Sequence, residues 1–114
     1  MLLIVEPAGQ RAERTEAEGR ALYERMMKFS EDLKARGLLK ISQSLRSDAN
    51  GVRVQKRNGK PITVDGPFTE TKEIVGGFFL LDCATREEAI AIAADCPAAE
   101  FATVEVRELG PCFT

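Results

Sequence analysis

Asp65, Glu70, Lys72 and Glu73 fall in one short stretch of this 114-residue chain. A carboxylate such as Asp65 can serve as a general base or hold a ligand once burial or a second carboxylate raises its pKa. Glu70 and Glu73 are near enough in sequence to be that second group. Lys72 would add positive charge, and Thr69 or Thr71 a hydroxyl, at the rim of a pocket for a polar or anionic molecule. Gly76-Gly77 follows inside a strand-like run, where paired glycines cost stability. They mark either a bulge or close packing, or space left for a ligand. Asp65 is therefore the candidate catalytic residue, with Phe68, Glu70, Lys72, Gly76 and Gly77 as candidate ligand contacts. A purely structural reading stands beside this one. Gly66-Pro67 suits a tight turn, since proline fixes φ and glycine tolerates positive φ, Phe68 would anchor it in the core, and Asp65 would accept N–H bonds across it. The polar stretch would then be a solvated loop.

The rest of the composition narrows the chemistry further. There is no histidine, which excludes Ser-His-Asp and Cys-His sites and any His-ligated metal. Acid–base work would fall to Asp, Glu, Lys, Cys or Tyr23. Cys83, Cys96 and Cys112 are too widely spaced for a CxxC or zinc pattern. They read as free thiols, Cys112 being the one expected to be exposed. No metal and no cofactor is expected. Sixteen basic and 18 acidic residues leave a net charge of −2, so neither nucleic acid nor an anionic membrane is an expected partner. Arg53, Lys56, Arg57 and Lys60 flank one turn and read as a charged edge that blocks stray strand pairing. The apolar opening, Met1 to Val5, is too short for a membrane span or a signal peptide. It reads as a first strand, and a cytoplasmic location is expected.

The elements that would position these groups follow from periodicity. Thr15 and Glu18 form a capping box, and a helix runs from there to about Arg36. Leu22, Met26, Phe29 and Leu33 make its apolar stripe, and Gly37 ends it in a left-handed conformation. Leu38 to Leu45 reads as a strand with Leu39, Ile41 and Leu45 on one face. Val52 to Arg57 is a strand joined through Asn58-Gly59, a type I′ hairpin signal, to a return strand through Ile62 and Val64. From about Glu73 to Asp82 the chain is apolar on both faces. Val75, Phe79 and Leu81 lie on one, and Ile74, Phe78 and Leu80 on the other. Thr85 and Glu88 suggest a second capping box, opening a helix to Asp95 with Ala89, Ile90, Ile92 and Ala93 inward. Pro97 stops it. Ala102 to Leu109 is a last strand.

The order is β-α-β, a hairpin, then β-α-β. This is an α+β protein of the ferredoxin-like split βαβ plan with a hairpin insertion, one domain over residues 1–114. Two helices can cover only one face of the sheet, yet its central strand is apolar on both. A second copy, sheet against sheet, would cover the other, so a homodimer is expected.

Asp65-Gly66-Pro67-Phe68, with Glu70, Lys72-Glu73 and Gly76-Gly77-Phe78, resembles the signature of the DGPF-domain branch of the YCII-related family. The likeness extends to the Leu-Leu-Ile opening, the first helix ending before Gly37, and Val104-Glu105-Val106-Arg107. It implies a ferredoxin-like protomer in a dimeric α/β barrel. Some YCII-type relatives use a His/Asp pair in a pocket beside the sheet. Here the histidine has no counterpart, and the corresponding helix stretch carries Tyr23, Met26 and Met27. The resemblance also implies an association with extracytoplasmic-function sigma factors. Two functions follow. The first is binding or conversion of a small polar molecule in a pocket near the Asp65 loop. The alternative is a noncatalytic interaction module with a sigma-factor-related protein partner.

Overall fold

The computed structural model describes all 114 residues, Met1 to Thr114. Strands β1 (Leu2–Pro7), β2 (Leu39–Ser44), β5 (Glu73–Leu81) and β6 (Thr103–Val106) form an antiparallel sheet in the order β2-β5-β1-β6. Helices α1 (Glu16–Ala35) and α2 (Arg86–Asp95) connect β1 to β2 and β5 to β6. Strands β3 (Val52–Arg57) and β4 (Lys60–Asp65) pair only with each other, as a separate two-stranded sheet. The chain is thus an α+β fold of two helices, a four-stranded antiparallel sheet and a hairpin. No helix is long and apolar enough to cross a membrane.

Local chemistry sets the helix limits. The Thr15 hydroxyl accepts the Glu18 N–H at 3.1 Å, and the Glu18 carboxylate receives the Thr15 N–H, completing the capping box. At the other end Gly37 sits at φ +72°. Leu38 N–H donates to Leu33 and Gly37 N–H to Lys34, the paired bonds of a Schellman ending. In α2 the Thr85 hydroxyl caps Glu88 N–H, without the reciprocal carboxylate bond. Asn58 and Gly59 both have positive φ, as a type I′ turn requires.

The core lies between the helices and one face of the sheet. Leu2, Leu33, Phe79, Ile92 and Ala93 form its centre. Phe29 meets Phe79 edge-on, with ring centroids 5.3 Å apart. Met26 joins this cluster and also the smaller one of Ile4, Cys96 and Ala98. Ile90 departs from the expected inward set: it is exposed, because the short α2 buries only Ala89, Ile92 and Ala93.

Two irregularities rephase the sheet. Ile4 pairs with Gly77 and Val5 with Val75, so Gly76 is the extra residue of a bulge in β5. Simple alternation placed Val75 with Phe79 and Leu81. The bulge moves it to the opposite face, with its partner Val5 and with Phe78 and Leu80. A second shift between Leu39 and Ile41 leaves Leu39 on the helix side and turns Ile41 outward. The shared face expected for those two residues is lost for the same reason. Leu3, Val5, Ile41, Val75, Phe78 and Leu80 consequently line the sheet face that no helix covers.

The hairpin is exposed along its length. Val52, Val54, Ile62 and Val64 all lie open to solvent, Val54 by 63%. The molecule measures 47 × 41 × 19 Å and its radius of gyration is 15.9 Å. A compact domain of about 100 residues has a radius near 13 Å, so the slab and its arm are extended for this length.

Candidate functional site

Alternation along β1 puts Leu2, Ile4 and Glu6 on the helix-covered face, and all three are buried. A carboxylate thus occupies a position where the pattern calls for an apolar side chain. Its charge is met by Arg11, from the 3-10 turn Gln10–Glu13 that follows β1. Arg11 Nε lies 2.6 Å from Glu6 Oε1, and its Nη2 donates to Oε2 at 3.4 Å. The guanidinium also donates to two backbone carbonyls, Leu45 at 2.7 Å and Gly76 at 3.2 Å. One side chain therefore ties together the ends of β1 and β2 and the bulge of β5. The Glu6 side chain is 7% exposed and that of Arg11 32%. The contact at Oε1 is ionic rather than a well-directed hydrogen bond, and this buried oxygen receives no directed donor.

The Gly76 bulge makes this arrangement possible. A Cβ on Gly76 would strike the Glu6 carboxylate and lie 2.8 Å from Arg11 Nη2. At Gly77 a Cβ would lie 2.8 Å from the Gln43 carbonyl oxygen of β2. Both positions need glycine for close approach, Gly76 by side chains and Gly77 by a neighbouring strand.

Above the pair, between the N-terminal half of α1 and the sheet, is a cavity of about 730 Å³. Its inner end holds Glu6, Arg11, Gly76 and Gly77, with the hydroxyls of Ser30 and Ser42 paired at 2.9 Å. Leu22, Met26, Met27, Phe79 and Phe101 supply apolar walls. Tyr23, on the same helix face, is exposed at its rim. Beside it Arg14 lies 4.8 Å over the Phe101 ring.

The sequence-predicted residues divide between places. Gly76 and Gly77 line the cavity. Asp65 does not: it ends β4 opposite Val52, exposed on the hairpin. Glu70 and Lys72 are exposed in the following turn, where the Lys72 carbonyl accepts Ala8 N–H at 2.8 Å. Phe68 is half-buried beneath Arg53, whose guanidinium lies 4.0 Å over its ring and donates to Thr71 Oγ1 at 3.1 Å. Arg53 thus holds this loop rather than only charging an edge. The N–H bond across the turn goes to Asp48, not Asp65: Phe68 N–H donates to Asp48 Oδ2 at 3.2 Å. Nor does Gly66 carry positive φ. Its lack of a side chain matters because the Asp48 carbonyl packs directly against it.

The thiols are separated as well. Cys112 is exposed, and Cys83 half-buried. Cys96 is buried, 3.9 Å from Met26 Sδ. Burial pushes its thiol pKa up, partly offset by backbone hydrogen bonds from Ala98 and Ala99, which makes it a poor nucleophile.

Sequence reasoning did not single out Glu6 or Arg11. The available signal was the acid in the third apolar-phase position of Leu2-Ile4-Glu6, a conflict between pattern and residue type that often marks a functional position.

An uncharacterized protein of Rhizobium meliloti (strain 1021) is 49% identical over 53 residues, a match covering 45% of this chain and 43% of that protein. The matched stretch is thus less than half the length of that relative. The model of the YCII-related domain matches residues 2–112, nearly the whole chain, and the chain belongs to the YCII-related family.

Proposed function

We propose that this YCII-related chain binds a small molecule in the cavity over the Glu6–Arg11 pair. The observation that carries the reading is the cavity itself, whose inner end gathers the Glu6–Arg11 pair and the Ser30 and Ser42 hydroxyls between apolar walls. The volume, about 730 Å³, is within the range of ligand pockets, roughly 300–1,000 Å³. Convergent polar groups at one end and apolar walls along the sides are the usual division of labour in such pockets. The binding position thus moves from the Asp65 loop to the Gly76-Gly77 end of β5.

Gly19 offers a test that separates binding from folding. It lies in α1 at the cavity wall, and a side chain built there enters open space. Gly19→Leu should stabilise the helix by about 0.7 kcal/mol while filling the cavity. Native mass spectrometry of freshly purified protein should show a small-molecule adduct on the parent chain and none on the variant. An adduct of equal occupancy on both would place the ligand elsewhere.

We also propose that the chain acts as a homodimer whose open sheet faces meet, closing a dimeric α/β barrel. Leu3, Val5, Ile41, Val75, Phe78 and Leu80 form an apolar face with no covering element of this chain. Magnitudes support a partner of substantial size. The chain exposes 8347 Å², whereas a compact monomer of this mass exposes about 6,200 Å². The excess, about 2,000 Å², is larger than the roughly 800 Å² each partner buries in a standard interface. A second copy is the simplest partner, because a two-fold axis matches a face to itself. Leu80→Lys should convert the dimer to monomer in light scattering at micromolar concentration. A parent chain already monomeric there would rule out the barrel.

A further inference from the structure

The class of molecule follows from the cavity's charges, and the inference rests on the binding reading above. Three arginines line the cavity, Arg11, Arg14 and Arg20, together with Glu6 and Glu16. Arg11 is matched by Glu6, and Arg20 by Glu16 at 2.7 Å. Arg14 has no carboxylate partner. Its Nη2 donates to the neutral side-chain oxygen of Gln10 at 2.9 Å. Gln10 in turn donates its Nε2 to the Phe101 carbonyl at 2.7 Å, which fixes its oxygen toward Arg14. Stacking on Phe101 holds the guanidinium from the other side. Arg14 is therefore a positioned cation with unused donors, on the wall of a cavity whose other charges are paired.

We propose that the ligand is a small organic carboxylate. Its anion pairs with Arg14, a hydroxyl elsewhere on it meets the Ser30 and Ser42 hydroxyls at the inner end, and an apolar body lies against Leu22, Met26 and Met27. Each part answers a separate feature. A cationic ligand would meet the one unpaired guanidinium with like charge. A neutral ligand would leave it unanswered, and a purely hydrocarbon acid would leave the Ser30 and Ser42 hydroxyls at the inner end without a polar partner. Arginine suits the first task because its planar fork matches a carboxylate with two parallel hydrogen bonds.

Four compounds with the same phenyl body test each part: 3-phenyllactate, 3-phenylpropanoate, 3-phenylpropane-1,2-diol and 1-amino-3-phenylpropan-2-ol. Titrations are followed at the backbone amide resonances of Gly76 and Gly77 in ¹⁵N-labelled protein. Phenyllactate should bind about tenfold more tightly than the diol, with phenylpropanoate between them. Arg14→Gln should erase the advantage of phenyllactate over the diol, and Arg14→Lys should keep part of it. If the diol or the amino alcohol binds as tightly as phenyllactate, the carboxylate class is wrong and the cavity reading stands. An advantage for phenyllactate that survives Arg14→Gln overturns the assignment to Arg14. If none of the four shifts either glycine amide, the cavity reading falls together with the class.

Discussion

Arg11→Ala should lower the unfolding free energy by about 3 kcal/mol, the lower end for breaking a buried ion pair, and the melting temperature by about 12 °C. Glu6 is the reason. Its side chain is 7% exposed, and without Arg11 the carboxylate would lie beneath α1 with no counter-charge. The lower end of the range applies because Arg11 itself is about a third exposed, so water already reaches part of the pair. Two carbonyls, those of Leu45 and Gly76, would also lose a donor. The double variant Glu6→Leu/Arg11→Leu should recover most of the lost stability, since apolar residues often replace a buried pair without net cost. It should recover none of the binding. Thermal unfolding followed by circular dichroism checks the first statement, and the phenyllactate titration the second. A single variant that loses less than about 1 kcal/mol would mean that Glu6 is hydrated in solution and that the pair is an ordinary surface bridge.

Gly66→Ala should be nearly as damaging, in a different part of the molecule. The added Cβ would strike the carbonyl oxygen of Asp48, with the carbonyl carbon 2.8 Å away and the Gly51 oxygen 3.3 Å away. All of these are backbone atoms, which cannot rotate aside. The same few residues close the loop: Gly66 N–H donates to Gly51 at 2.8 Å, Gly51 N–H to Asp48 at 2.9 Å, and Phe68 N–H to the Asp48 carboxylate. Overpacking at such a junction costs about 3 kcal/mol, the upper end for such changes. The effect should be local, because β3 and β4 pair with no strand of the main sheet. Faster amide exchange and proteolysis confined to residues 48–68, with the helices still folded, is the expected outcome. An unchanged exchange pattern there would mean that the Asp48 carbonyl and Gly66 are not in contact in solution.

Most of the fold was legible because its signals are local. The Thr15–Glu18 box, the Gly37 ending and the Asn58-Gly59 turn each depend on a few adjacent residues, and each forms as expected. What alternation could not supply was phase. One extra residue at Gly76 and one shift near Lys40 exchange the faces of Val75 and Ile41, and nothing in the apolar pattern marks where such a residue sits. The candidate site was harder to read for the same physical reason. Gly76 and Gly77 were identifiable by the cost of glycine inside a strand. Arg11 was not, because its partners are Glu6 next door and carbonyls 34 and 65 residues away. The Asp65-Gly66-Pro67-Phe68 motif drew attention through residue type. In the fold it is the closing turn of the hairpin, held by Asp48, Gly51 and Arg53.

The Gly76 bulge has a kinetic consequence as well as a geometric one. It lies in β5, which is hydrogen-bonded to β1 on one side and β2 on the other, so the floor of the cavity is part of the last structure to open. Its shape comes from side chains that the two glycines omit, not from a loop that must close. A molecule entering it would have little backbone to order. The entropy lost on binding would fall on a few exposed rim side chains, chiefly Tyr23 and Met27. Such a preformed site binds without waiting for the protein to rearrange.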